Sequence, residues 1–150
     1  MRHAGISIIC FFGLLAAAAT AQQSKPNFSG KWELNAGKSE LHGGKASAVN
    51  LTIEQKGASI HVLKTMKAAN GKESVTEFTC TTDGKDCDAK VYKVSLWYDG
   101  ASLVEMDVSD DLVSKSSMTL GEDAKTISVT VTYIAPQGEA EKLVLEKTGT

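Results

Sequence analysis

From Phe28 onward the apolar residues recur mostly at spacing two, in runs separated every eight to twelve residues by Gly, Asn or Asp. Successive side chains of a β-strand point to opposite faces, so this alternation predicts half-buried strands. The first run, residues 28–34, places Phe28, Trp32 and Leu34 on one face and Ser29, Lys31 and Glu33 on the other. Further strands are predicted over 49–56, 59–68, 73–82, 90–98, 102–109, 113–120, 126–135 and 140–147, nine in all. The breaks carry turn chemistry, among them Lys56-Gly57, Asn70-Gly71, Asp83-Gly84, Asp99-Gly100 and Pro136-Gln137-Gly138, and successive antiparallel hairpins follow.

Alternation also proposes the inward faces. These are Val49, Leu51 and Ile53; Ile60 and Val62; Tyr92, Val94, Leu96 and Tyr98; Val104, Met106 and Val108; Ile127, Val129, Val131 and Tyr133; and Leu143 and Leu145. A sheet that is apolar on one side must curl or pair to cover it, which predicts an all-β, up-and-down (meander) β-barrel, with a β-sandwich as the alternative. Residues 35–48, rich in glycine, are predicted as a loop with room for a helical turn near 38–41. Residues 138–147 read both ways. Their Glu-Ala-Glu-Lys composition favours helix, whereas Leu143 and Leu145 at spacing two favour a closing strand.

Composition narrows the class. With 42% hydrophobic, 23% charged and two prolines in 150 residues, the chain is neither collagen-like nor a long disordered segment. Residues 1–21 form a predicted secretory leader: Arg2 and His3, an apolar stretch over 6–19, then Ala19-Thr20-Ala21 as the small-x-small cleavage pattern. The mature part is then a single domain, 22–150, secreted or periplasmic, with no transmembrane segment. Its two cysteines, Cys80 and Cys87, are predicted to pair across the Asp83-Gly84 turn as a disulfide. Loss of the only arginine, Arg2, leaves 15 lysines interleaved with 18 acidic residues, which excludes a nucleic-acid partner of the usual basic kind.

The stretch Phe28-Ser29-Gly30-Lys31-Trp32 resembles the Gly-X-Trp start of the calycin superfamily, which includes the lipocalins and the fatty-acid-binding-protein-like barrels. With Leu34, Asn35 and Lys38-Ser39 it is most similar to secreted bacterial lipocalin-like proteins. The resemblance implies a barrel that holds a small apolar molecule. It also exposes a departure: the Arg-X-Tyr pair that clamps a fatty carboxylate on the final strand is replaced by Leu143 and Leu145. A ligand is therefore expected to be neutral or held through other groups.

No nucleophile elbow, phosphate loop or dinucleotide fingerprint is present, so neither enzyme activity nor a cofactor is predicted. His61, beside Ile60 and Val62, is expected to face water, and His42 sits in a glycine-rich loop. Glu105 and Asp107 alternate with Val104, Met106 and Val108 and are read as a solvated outer face. Asp83, Asp86 and Asp88 lack the oxygen spacing of a calcium loop, and no metal site is predicted. The proposed ligand lining is Trp32, Ile53, Phe78, Tyr92, Leu96, Met106, Val131 and Tyr133, with the two phenols orienting the ligand. The competing reading is an envelope scaffold protein with a solid-packed barrel. An interior of several hundred cubic ångströms would favour the binder. An enzymatic reading would need a cluster of titratable groups inside the barrel.

Overall fold

A computed structural model describes residues 24–42 and 46–150, so the predicted leader lies outside the described residues. Ten strands follow in chain order: β1 (Gly30–Leu34), β2 (Ala48–Lys56), β3 (Ser59–Lys67), β4 (Glu73–Thr81), β5 (Asp83–Asp88), β6 (Lys93–Asp99), β7 (Ser102–Val108), β8 (Val113–Leu120), β9 (Thr126–Ala135) and β10 (Glu141–Gly149). All pairings are antiparallel, in the order β4-β3-β2-β1-β10-β9-β8-β7-β6-β5. The first strand thus pairs with the last, and the sheet curls into a nearly closed up-and-down barrel with calycin-like topology. Its one seam lies between β4 and β5, and the Cys80–Cys87 disulfide crosses it with the Cα atoms 5.7 Å apart. Among the described residues no helix is long and apolar enough to cross a membrane.

Each of the nine predicted strands has its counterpart, and the tenth is β5. Its sequence, Asp-Gly-Lys-Asp-Cys-Asp, has no apolar alternation to announce it. The expected hairpin across Asp83-Gly84 is instead a corner. The chain turns there with Gly84 at φ +77°, but β4 and β5 form no ladder, and β5 pairs with β6. Of residues 138–147, those from Glu141 onward resolve as strand, because β10 fills the place between β1 and β9 and satisfies the backbone groups of both. The glycine-rich segment holds one short 3-10 turn, Ala36–Lys38, where the Asn35 side chain accepts from the Lys38 N–H at 3.2 Å.

One end of the barrel is packed solid. Phe28, Trp32, Ile53, Ile60, Leu96 and Ile127 are fully buried there, and each large apolar side chain removed from water contributes about 1.5–3 kcal/mol. The segment before β1 closes this end as a strap. Trp32 Nε1 donates to the Phe28 carbonyl at 3.0 Å, and the Phe28 N–H donates to Gln55 Oε1 at 3.1 Å. Gln55 Nε2 in turn donates to the Tyr98 hydroxyl at 3.0 Å, which donates to the Pro26 carbonyl at 2.9 Å. The polar side-chain groups of Trp32, Gln55 and Tyr98 thus find partners, so burying them carries no unpaired polar penalty.

The faces of β7 are the reverse of those expected. Tyr98, Leu96 and Val94 of β6 point inward, and their directly opposed partners on β7 are Leu103, Glu105 and Asp107. Opposed residues in an antiparallel pair share a face, so Glu105 and Asp107 lie inside. Val104, Met106 and Val108 face outward beside Trp97, Ser95 and Lys93. Val104 is buried on that outer side, while Val108 is 43% exposed.

Candidate functional site

The inward positions divide along each strand into a filled half and a hollow half. On β2, Ile53 packs in the core, while Leu51 and Val49 border open space. On β3 the same division separates Ile60 and Val62 from Lys64 and Met66. On β4 it separates Phe78 and Cys80 from Thr76 and Ser74, and on β9 it separates Ile127 from Val131 and Tyr133. The hollow half is a cavity of about 340 Å³. Val91 and Leu112, in the loops before β6 and β8, are exposed and also line it, which places its mouth at that end of the barrel.

Besides the hydroxyls of Ser74, Thr76, Ser109, Ser114 and Ser116, two charged groups interrupt the apolar wall. In the first, Lys64 Nζ lies 2.6 Å from Glu105 Oε1, with Glu105 only 2% exposed. Burial pulls the Lys64 ammonium down, but the charges of Glu105 and Asp107 outweigh that pull and hold it above its ordinary value. Burial, then the adjacent Glu105 carboxylate, pushes Asp107 up to about 7 against the opposing pull of Lys64. Burial also raises the Tyr92 phenol beside this cluster. In the second group, the Tyr133 hydroxyl donates to Glu141 Oε2 at 3.0 Å, and burial followed by the Glu141 carboxylate raises the Tyr133 phenol. Asp107 Oδ1 and Glu141 Oε1 are buried with no hydrogen-bond partner.

Of the residues proposed from sequence as a lining, Tyr92, Val131 and Tyr133 border the cavity. Trp32, Ile53, Phe78 and Leu96 lie in the filled half, and Met106 is on the outer face for the register reason given above. Trp32, Leu96 and Val131 do converge on one interior, Val131 packing against the core that holds the other two. The residues missed by sequence reasoning are Lys64, Glu105, Asp107 and Glu141. A signal for two of them was present in the hairpin turns. Lys56 opposes Ser59 across Gly57-Ala58, and counting back from that turn sets Lys64 opposite the inward Leu51. Asp99 opposes Ser102 across Gly100-Ala101, and the same count sets Glu105 opposite Leu96. His61 faces outward, its Nε2 3.1 Å from Glu77. Asp83 accepts from Thr81 Oγ1 at 2.8 Å and from the Lys85 N–H at 3.2 Å.

No family model matches the chain, and no curated protein matches it in sequence. Solved structures do match in shape. Wild-type fluorescent protein UnaG superposes with a TM-score of 0.59 at 18% identity, covering 81% of this chain and 97% of its own. Fatty-acid-binding protein 1 of Echinococcus granulosus gives 0.58 at 12% identity over 81% of this chain and 97% of its own. A secretory abundant heat soluble protein from Ramazzottius varieornatus gives 0.54 at 14% identity over 80% and 94%. The fold is that of a calycin-type barrel of the fatty-acid-binding-protein kind. At these identities the likeness extends to the fold alone.

Proposed function

We propose that this chain is a secreted or periplasmic binding protein that holds a small, largely apolar molecule in the hollow half of its barrel and performs no chemistry on it. The observation that carries this reading is the cavity of about 340 Å³, within the range of small-molecule sites and walled by Val49, Leu51, Met118, Val129, Leu143 and Leu145. A scaffold with a solid barrel would have no such space. A protein of the same fold named for fatty-acid binding supports a binding role. The leader-like first 21 residues and the Cys80–Cys87 disulfide support an oxidising compartment.

The titratable cluster is the one feature an enzymatic reading would draw on. Its Lys64 is held as an ammonium by Glu105 and so lacks the free amine of a nucleophile or base. We therefore read the cluster as a binding and positioning device. The test is uptake of the neutral dye N-phenyl-1-naphthylamine, followed by displacement with 1-octanol, beside native mass spectrometry of protein purified from its source. One-to-one uptake that octanol reverses is expected. A clean apo mass together with no dye uptake by the folded protein overturns the reading.

A further inference from the structure

The cavity wall holds more negative charge than it neutralises. Four charged side chains line it: Lys64, Glu105, Asp107 and Glu141. Lys64 is committed to Glu105 at 2.6 Å. Asp107 shares that one cation with Glu105, and Glu141 has none in the cavity wall, while Asp107 and Glu141 each carry a buried oxygen without a hydrogen-bond partner. Glu141 is 4% exposed, and its second oxygen is already fixed by the Tyr133 hydroxyl at 3.0 Å. The carboxylate is thus oriented, with Oε1 left over. Asp107 of β7 opposes Ser114 of β8, which opposes Tyr133 of β9, and Glu141 of β10 lies beyond, opposite Val131 of β9, so β8 and β9 stand between the two acidic positions along one arc of wall. Below that arc the lining turns apolar, with Met118, Val129 and Leu145.

A buried acceptor without a donor costs about 1–3 kcal/mol, and more when it is charged, so two such acceptors at one wall favour an occupant that supplies protons. We propose that the cavity takes an amphipathic amine, whose cationic nitrogen donates to Glu141 Oε1 at a wall made more negative by Asp107, and whose apolar body lies against Met118, Val129 and Leu145. This deepens the binding reading and rests on it. It also gives the lost carboxylate clamp a physical sense: a carboxylate ligand would meet like charge at this wall, whereas an ammonium gains charge-assisted hydrogen bonds.

The test compares 1-octylamine, 1-octanol and octanoate, which share one tail, by dye displacement and calorimetry on the oxidised protein. Octylamine is expected to bind at least about tenfold more tightly than octanol, with octanoate weakest. Glu141→Gln, which keeps an acceptor for Tyr133, should bring the amine to within about threefold of the alcohol by weakening the amine more than the alcohol. Asp107→Asn serves as a second, independent variant with the same expected direction. Octanol or octanoate binding as tightly as the amine overturns the inference and leaves the binding reading standing. A folded protein that binds none of the three overturns both, and because this series uses the wild-type chain, misfolding of a variant cannot obscure the answer.

Discussion

The two ends of the barrel are built from the same strands and the same alternation, yet they meet opposite demands. At the end strapped by Pro26 to Ser29, the inward positions are Trp32, Ile53, Ile60 and Leu96, and the strap's polar groups are paired. At the other end the same strands present Lys64, Thr76, Glu105, Asp107 and Glu141 to a hollow, and two of those carboxylates keep an unpaired oxygen. The filled end stabilises the fold, while the hollow end gives up packing and polar satisfaction to keep space and unmet hydrogen-bonding capacity. A local break of the folding rules within an otherwise consistent barrel marks where a ligand would act.

The comparison is tested most severely at Trp32. Trp32→Ala should lower stability by about 3–5 kcal/mol in urea denaturation, the usual cost of removing a large buried aromatic. A loss below about 1 kcal/mol would show that the filled end does not hold the barrel together. The next effect belongs to the hollow end. Lys64→Met strands Glu105 and Asp107 without their cation and should cost about 3 kcal/mol, whereas Lys64→Met combined with Glu105→Leu should recover much of that loss. If the single and double variants are equally unstable, the pair is not the coupled unit described above.

What could be read from sequence, and what could not, follows the same division. Alternation with turn chemistry located nine strands because an apolar stripe is visible wherever one face is buried. The stripe at Phe28, Trp32 and Leu34 also marked the core correctly. Strand β5 carried no stripe, since its Asp and Lys positions lie exposed beside the seam. The site was harder because its defining residues are polar ones on the inner face, and a polarity pattern assigns such residues to the outside by default. On β7 the more apolar set, Val104 and Met106, is the outer one, packed beside Trp97 and Ser95. Hairpin register, counted from a two-residue turn, carries the information that alternation lacks.

A third test concerns the seam that turn chemistry alone mistook for a hairpin. The Cys80–Cys87 disulfide joins the two edge strands at the filled end, where both sulfurs lie near the Val94 carbonyl, at 3.5 and 3.3 Å. Replacing both cysteines by serine should cost about 2.5 kcal/mol, the chain-entropy value for so short a loop. Denaturant midpoints with and without reductant provide the control, since the reduced wild type should approach the double variant. If reduction leaves the midpoint unmoved, the β4–β5 seam is held by packing alone.

The smallest effect is a slope, and it isolates the hollow end without removing any packing. Asp107 has a folded value of about 7 against an ordinary carboxyl value of 3.8, so across that interval the folded chain holds a proton that the unfolded chain has released. The stabilisation is full below about pH 4 and is lost as pH rises through 7, with a limiting slope of about 1.4 kcal/mol per pH unit for one proton. The groups facing Asp107 are Lys64 from β3, Tyr92 ahead of β6 and Glu105 on its own strand. Of these, Lys64 stays charged throughout the window. Asp83 and Glu146, both exposed, are shifted the other way by hydrogen bonds, Asp83 to about 2, so their contributions are lost only as pH falls below the ordinary carboxyl range. Urea midpoints measured from about pH 4 to pH 8 at constant ionic strength should therefore decline for the wild type and flatten for Asp107→Asn. Parallel profiles for the two proteins would mean that Asp107 carries no proton into the folded state and that the hollow end is wetter than its geometry implies.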